Sequence, residues 1–391
     1  MRYPQLASEK ICTGCLACMD ACAKSAISLR HGSDGHIYVE VDKGKCIGCL
    51  RCEKICSNIH ECKYGNNAKT SIPLAIYNKD KQFYKNATSG GVFPALASYF
   101  LQNQGVVYGA AYNDGVHVAH KRVSRLEGIA TLQGSKYEQS DLSGIYKSIA
   151  KDLKDNLRVL FVGTGCQVAG ILSYFRTHPQ RELLFTMDLV CGGVPSSLLI
   201  ESFAKNTADF ESVASYRNKE TYIFSYHSEN GKVVICKKAL PLDGFKSCLT
   251  NRYSCYDCEF TGLHRMSDWT IGDLWGDTCG MARSLCLCHS DRSKELISKL
   301  SNVDVQGIED WQFVCHNPRI VNGKAPFANR MERKYIGFVF HTFPYSMVKK
   351  IYGSDVKKTD VFWFLYKVYK YIRFKRYFTY SKNVALRISK S

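Results

Sequence analysis

Apolar residues along the middle of the chain come in two arrangements that take turns, short continuous runs and stripes at helical spacing. Leu74 to Tyr77 predicts a short strand. The turn Thr88-Ser89-Gly90-Gly91 then opens a helical stripe through Val92, Leu96, Tyr99 and Phe100, with Pro94 tolerable near the helix start and Gly105 as the stop. Arg158 to Val162 and Leu183 to Val190 predict two more strands, and Val168, Ile171, Leu172 and Phe175 a helix between them. That order predicts a right-handed βαβ unit inside an α/β domain with a mainly parallel sheet. Ligand sites in open sheets of this kind gather at the C-terminal strand ends, where Cys166 and Cys191 fall.

The end of the chain has another texture. The stretch VFWFLYKVYKYIRFKRYF interleaves aromatics with Lys367, Lys370, Arg373 and Arg376 at three-residue spacing, so the charges share about one face of a helix. The formal net charge is +18, and about three fifths of the excess follows Arg330. A basic aromatic helix suits an anionic membrane surface or an acidic partner, and equally a solvated helix whose apolar side packs on the body. A spanning helix is not expected, because no run of about 18 uncharged apolar residues exists. Nucleic acid is not expected either, since no recognition motif accompanies the charge. The opening MRYPQLASEK lacks the apolar core of a signal peptide, and the 19 cysteines are an odd total. Disulfides are therefore not expected, and the chain reads as cytoplasmic, with its tail a candidate for the inner membrane face.

The cysteines carry the chemistry. Cys12, Cys15, Cys18 and Cys22 form a Cys-x-x-Cys-x-x-Cys-x-x-x-Cys run, and Cys46, Cys49, Cys52 and Cys56 repeat its spacing. Two such runs mark a two-cluster ferredoxin, in which the fourth cysteine of each run serves the other cube. One 4Fe-4S cluster is then expected on Cys12, Cys15, Cys18 and Cys56, the second on Cys46, Cys49, Cys52 and Cys22. Gly14 and Gly48 sit inside the loops, where a missing Cβ lets backbone amides approach the sulfurs. Zinc is the competing reading, but two matched four-cysteine runs exceed what a tetrahedral site needs. Ala23 and Ser57 stand where a proline commonly follows the last cysteine, which affects only the local turn.

Four further thiols, Cys166, Cys191, Cys255 and Cys258, are enough for a third cluster, though their spacing also fits a zinc knuckle or plain buried thiols. Cys166 opens a helix, where the amide dipoles favour a thiolate. Ser89-Gly90-Gly91 is a candidate phosphate turn and also an ordinary helix cap. Gly134-Ser135-Lys136-Tyr137 adds a cation to a glycine turn, suited to a pyrophosphate or a reduced flavin ring, or simply to a surface loop. A dinucleotide fingerprint at Gly163-x-Gly165 with Asp188 as ribose acid competes weakly, because Val168 occupies the third glycine's place. Cys62, Cys236, Cys248, Cys279, Cys286, Cys288 and Cys315 read as buried or surface thiols without a ligand role.

Taken together, TSGGVFPALA, GSKYEQSD, VLFVGTGCQVAGI, DLVCGGVPS, RYSCYDC and RMSDWTIGDLWG, in that order, resemble the coenzyme F-420 hydrogenase/dehydrogenase beta-subunit family in its form with an N-terminal 4Fe-4S dicluster ferredoxin domain. The likeness extends to about Arg330. It implies an iron–sulfur flavoprotein oxidoreductase, with FAD lined by Ser89, Gly90, Gly91, Gly134, Ser135, Lys136 and Tyr137. It also implies a third 4Fe-4S cluster on Cys166, Cys191, Cys255 and Cys258, with Arg265, Asp268 and Asp273 near the cofactors or in structural pairs. Two departures touch the substrate: Cys191-Gly192-Gly193-Val194-Pro195 lacks the family's histidine, and Arg217-Asn218-Lys219 lacks an aspartate often found between the basic residues.

The expected organisation is a two-cluster α+β ferredoxin-like domain over 1–65, and a flavin and iron–sulfur α/β domain over 70–330, with subparts 70–150 and 155–330. A basic, aromatic, helical tail is expected over 331–391. The expected activity is passage of electrons between a hydride-exchanging flavin and the clusters, linked to a ferredoxin-type carrier or a catalytic subunit and to a small-molecule substrate. Two other readings are a non-catalytic electron-transfer subunit, whose basic surface would suit an acidic donor, and a nicotinamide-dependent dehydrogenase, which the imperfect glycine fingerprint disfavours.

Overall fold

The computed structural model describes residues 2–59, 66–67, 70–277, 279–311, 314, 316–317, 320 and 335–352. The N-terminal part holds α1 (Ala17–Asp20), a hairpin of β1 (Ile27–His31) and β2 (Ile37–Val41), and α2 (Arg51–Lys54). After β3 (Asn66–Asn67) come β4 (Ile72–Asn78), α3 (Lys81–Asn86), α4 (Val92–Gln102), β5 (Gly105–Tyr112), β6 (Val118–Val123), α5 (Ile129–Leu132), β7 (Ser140–Asp141) and α6 (Ile145–Lys154). The chain continues through β8 (Arg158–Thr164), α7 (Gly165–Tyr174), β9 (Leu184–Leu189), α8 (Leu198–Lys205), β10 (Phe210–Ser215), β11 (Phe224–Ser228), β12 (Val233–Cys236), α9 (Leu240–Ser247) and α10 (Tyr253–Tyr256). It goes on with β13 (His264–Arg265), β14 (Trp269–Asp273), β15 (Ser284–Cys288), α11 (Asp291–Ser298), β16 (Val303–Gly307), α12 (Ile336–Thr342) and α13 (Tyr345–Tyr352).

Nine strands form one sheet in the order β16-β4-β15-β14-β9-β8-β5-β6-β7. Its centre, β14-β9-β8-β5, is parallel, and antiparallel strands flank it on the β15 side and at β6. The unit expected around Cys166 is present as β8, α7 and β9, with the two strands paired in parallel from Val159↔Leu184 to Thr164↔Leu189. Pro94 falls in the first turn of α4, and Gly105 opens β5 after the helix has ended.

Alternation along the central strands sends neighbouring residues to opposite faces. Val107, Leu160 and Met187 pack with Val92, Leu96 and Phe100 of α4 on one face. Val106, Tyr108, Val159 and Phe161 pack with Ile149 and Leu153 of α6 and Val168 and Ile171 of α7 on the other. That second core also takes in Cys15, Leu16 and Ala17, so the first cysteine run is part of the body's interior. A separate antiparallel sheet, β10-β11-β12, lies beside α8 and α9.

Hydrogen bonds close the same seam. The Asp20 carboxylate accepts from the backbone N–H groups of Gly144 and Tyr146, each at 3.0 Å, and so caps α6 from a distant part of the chain. Tyr146 donates its hydroxyl to the Cys15 carbonyl at 2.7 Å, and Ser173 of α7 donates to the Ile55 carbonyl at 2.8 Å. Ser196 and Ser197 reach the carbonyls of Asp34 and Gly35, at 2.6 and 2.7 Å, in the turn between β1 and β2. In the C-terminal stretch, Ile336 and Val339 of α12 and Val348, Ile351 and Tyr352 of α13 are buried against Leu199, Leu240, Leu249 and Tyr256. The basic aromatic stretch with Lys367, Lys370, Arg373 and Arg376 lies outside the described residues, as do Cys62 and Cys315.

Replacing Asp20 by Ala removes both acceptors at the start of α6 and is expected to cost about 1–2 kcal/mol, the usual worth of a helix cap. Chemical denaturation of the variant checks this, and an unchanged midpoint would rule out the cap.

Candidate functional site

The two cysteine runs fold as conformational copies. Gly14 and Leu16 in the first adopt φ of 70° and 63°, and Gly48 and Leu50 in the second 69° and 58°. A leucine in the left-handed region is costly, so its recurrence at matching positions shows that the loop must turn there. In each copy the leucine leads directly into a short helix, α1 or α2.

The thiols sort across the runs. Burial pushes the Cys18 thiol well up, and Cys15, Cys12 and Cys56 add to the effect. Cys52 is raised by burial, with Cys22 and Cys49 beside it. Cys56, the last of the second run, therefore stands near Cys12, Cys15 and Cys18, and Cys22, the last of the first, near Cys52. Burial pushes Cys15 up to about 12, and its charged neighbours are Cys12, Cys56 and Cys166.

Cys166 lies inside the capping box of α7, in which Thr164 and Gln167 satisfy the helix start. The sequence placed the thiol where the helix dipole favours a thiolate, yet burial, with Cys191 and Cys255 close by, pushes it up to about 12. Burial also pushes Cys258 well up, with Cys166, Cys255 and Cys191 around it. The four thiols singled out in the sequence thus come together from β8–α7, the end of β9 and α10. Thiols held this high stay neutral near pH 7 unless a positive metal centre takes the protons' place. Among the described residues no group of three or more Cys, His, Asp or Glu stands in an arrangement that could hold a metal ion.

One buried cation lies between these sets. Arg252 is 1% exposed, donates from Nε to the Cys12 carbonyl at 2.6 Å and from Nη2 to Cys12 Sγ at 3.5 Å, and lies close enough to Cys166 to favour its thiolate. Its Nη1 donates to Gln139 Oε1 at 2.8 Å, and its plane covers the Tyr38 ring at 4.5 Å.

Gln139 belongs to the segment that also walls a cavity of about 470 Å³, within the usual size of a ligand pocket. Lys85, Thr88, Gly134, Ser135, Lys136, Arg217 and Lys219 are on its wall, with Glu220 as the one carboxylate. The two glycine turns meet here, Thr88 Oγ1 lying 3.1 Å from Ser135 Oγ. Lys136 is tethered to the Gln133 carbonyl at 2.7 Å, and burial lowers its pKa to about 8. The Tyr112 hydroxyl, also on the wall, is buried with no hydrogen-bond partner among the described residues.

Of the other residues marked for the flavin, Gly90 is pressed between β4 and β15, Gly91 lies beside Asn78, and Ser89 donates to the Arg283 carbonyl at 3.1 Å. Tyr137 stacks on Phe245 with ring centres 3.7 Å apart. These four stand behind the wall. Asp273 reaches it through Arg217, which grips both carboxylate oxygens at 2.6 and 2.9 Å and also donates to the Thr88 carbonyl. Asp268 is held by Arg292 and the Thr186 amide, and Arg265 faces Asp188 across 3.4 Å in the core. Asp188 is thus occupied inside the sheet and unavailable to a ribose. Cys286 and Cys288 are buried on β15, Cys248 is buried and Cys279 exposed. Arg252, Gln139, Lys85 and Tyr112 received no role from the sequence, although two of them lie inside the motifs RYSCYDC and GSKYEQSD.

Comparison with known proteins adds three findings. Residues 156–311 match the model for the C terminus of the coenzyme F420 hydrogenase/dehydrogenase beta subunit, and residues 11–58 match the 4Fe-4S dicluster domain. Among solved structures, a chain from the F420-reducing [NiFe] hydrogenase complex of Methanosarcina barkeri is similar at 16% identity and a TM-score of 0.42, covering 74% of this chain and 94% of that one. No curated protein matches.

Two predictions follow from the site's supports. A Cβ on Gly90 would lie 2.1 Å from the Ile76 carbonyl oxygen and 2.3 Å from the Ser284 amide nitrogen, so Gly90→Ala is expected to destabilise by about 1–3 kcal/mol in a denaturant titration. Wild-type stability would contradict the close approach. The second concerns His120, which bonds Ser140 Oγ at 2.7 Å and the Val162 carbonyl at 2.9 Å and whose pKa burial lowers to about 4. The unfolded histidine takes its proton near pH ~6.5 and the folded one does not. Stability is therefore full above that pH and falls as pH drops toward about 4. His289, lowered by burial to about 3, acts in the same direction. Melting temperatures measured from pH 7 to 5 should decline less steeply in His120→Gln than in the wild type, and parallel curves would remove His120 from the account.

Proposed function

We propose that this chain, whose residues 156–311 match the C terminus of the coenzyme F420 hydrogenase/dehydrogenase beta subunit and whose residues 11–58 match a 4Fe-4S dicluster domain, is an oxidoreductase passing electrons between a flavin site in the cavity and a chain of three clusters. Cys12, Cys15, Cys18 and Cys56 would hold the inner dicluster centre, Cys22, Cys46, Cys49 and Cys52 the outer one, and Cys166, Cys191, Cys255 and Cys258 the third. When bound, 4Fe-4S clusters relay single electrons and a flavin exchanges hydride, so the two together convert between electron pairs and single electrons.

The observation that carries the reading is that Cys15 packs on α7 beside Gly170, one helical turn from Cys166 and within electrostatic reach of its thiol, so that the thiols of the dicluster domain lie next to those of the sheet body. The donor set fits the clusters: all twelve sulfurs belong to cysteines, in three sets of four. The cavity fits an anionic, partly aromatic ligand. Lys85, Lys136, Arg217 and Lys219 supply positive charge, and the buried Tyr112 hydroxyl is left to be satisfied by what enters. The chain's residues hold the cations in place by backbone tethers, Lys219 donating to the Ala87 carbonyl at 2.8 Å and Lys136 to that of Gln133.

At the other end Cys49 is exposed and Ile47 is 53% exposed, which presents the outer centre to a carrier such as ferredoxin or to a catalytic subunit. The same exposure favours the second reading, a non-catalytic electron-transfer subunit. Anaerobic purification with iron, sulfide and flavin analysis separates the two. About twelve irons and one FAD per chain are expected, falling to about eight irons in a Cys255→Ser, Cys258→Ser variant. About eight irons and no flavin in the wild type would favour the carrier reading.

A further inference from the structure

We propose that Arg252 is the shared counter-charge of the two inner cysteine sets and sets the reduction potentials of the clusters they hold. This rests on the reading that both sets carry clusters and adds the charge that couples them.

A guanidinium stays protonated at any pH a fold survives, so burying one requires a negative partner. The other two arginines buried among the described residues obey this rule, Arg217 facing Asp273 and Arg265 facing Asp188. Arg252 is as deeply buried as Arg265, at 1% and 0% exposure, yet no carboxylate pairs with it among the described residues. Its sulfur neighbours are Cys12 Sγ at 3.5 Å and, within electrostatic reach, Cys166, while its own carbonyl accepts from the Cys255 amide at 3.0 Å. Neutral thiols would leave the cation stranded, whereas thiolates ligating a cluster supply the missing negative charge.

The surroundings hold the guanidinium where it serves both sets. Gln139 fixes Nη1, Tyr38 supports the plane, and the Cys12 carbonyl takes Nε. Gly14 clears the space, since a Cβ there would lie 2.1 Å from the Gln139 amide and 3.0 Å from Arg252 Nη1. A fixed cation and an N–H···S hydrogen bond both stabilise the more negative, reduced form of a cluster, so they raise its potential. Each step moves one electron and changes no covalent bond. The outer centre, whose ligands include exposed Cys49, has no such contact with Arg252 and serves as an internal control.

The test is a redox titration followed by electron paramagnetic resonance on the full chain, reconstituted anaerobically, comparing wild type with Arg252→Gln and Arg252→Lys. Arg252→Gln is expected to keep wild-type iron and sulfide while two midpoints fall by at least the 59 mV that equals a tenfold change in a one-electron constant, the third staying put. Arg252→Lys should restore part of the fall. Unmoved midpoints in iron-replete Arg252→Gln, or equal shifts in all three, would overturn the proposal. Should Arg252→Gln not load, Arg252→Met, which strands no polar group, is analysed for iron. Selective retention of the outer centre's share, about four irons, supports the counter-charge, and loss of all iron assigns Arg252 to folding alone. A wild-type chain that takes up no iron sinks the cluster reading itself, whereas loaded protein with unmoved midpoints sinks only the role of Arg252.

Discussion

The site depends first on how closely the loop of Cys12–Cys18 lies against α7. Gly170 allows it: a Cβ at that position would sit 3.0 Å from both Cβ and Sγ of Cys15 and 2.7 Å from the Tyr146 hydroxyl. With hydrogen there instead, Cys15 enters the same core as Val168 and Ile171, and Tyr146 can bond its carbonyl. The helix that carries Cys166 is thus the helix against which Cys15 rests. Moving α7 outward by the thickness of a methyl group would loosen the apolar seam and separate the two thiols together, so packing and the spacing of the thiols share one constraint.

That seam explains how such different charges coexist inside the protein. Burial drives the thiols toward neutrality, and among the described residues no carboxylate pairs with the buried Arg252 cation, two costs that offset each other if the sulfurs are ligands. In the sheet body the opposite solution holds, with Arg265 against Asp188 and Arg292 against Asp268. Those pairs tie β9, which leads to Cys191, to β13 and to the segment that opens β14. The pairing of Arg217 with Asp273 does the same for the cavity, tying β14 to the turn at Thr88.

How much of this was legible in the sequence varied with the range of the interaction. Buried parallel strands are continuous apolar runs, so β8 and β9 could be read within a residue or two of their ends, and α7 between them. The cysteine runs were legible because ligand spacing within a loop is local. The grouping of Cys166 and Cys191 with Cys255 and Cys258 could only be suspected, since spacing says nothing of convergence. Arg252 was missed because its partner Cys12 is 240 positions away, and no periodicity records such a contact. Helices α12 and α13 fall at the start of the stretch read as a basic helical tail, and their apolar faces are buried against α9 and its neighbours; the charge count left packing on the body open beside a membrane or partner surface, and tertiary packing decides it for these two helices. At Cys166 the local rule about helix dipoles is opposed by burial, which raises the thiol's pKa.

The two cysteine loops share a backbone but not a fate. Leu16 is 2% exposed beneath α6 and α7, whereas its counterpart Leu50 is only partly covered and Ile47 beside it faces solvent. A module with internal twofold likeness has thus been made asymmetric by what was built against one half of it. The first repeat is answerable to the core and the second to the outside world. Drift in sequence should accordingly be tolerated unequally, with the outward loop free to be reshaped for a new docking surface while the inward one stays fixed by its neighbours. Direction, in such a molecule, comes from selective concealment of one of two equivalent ends.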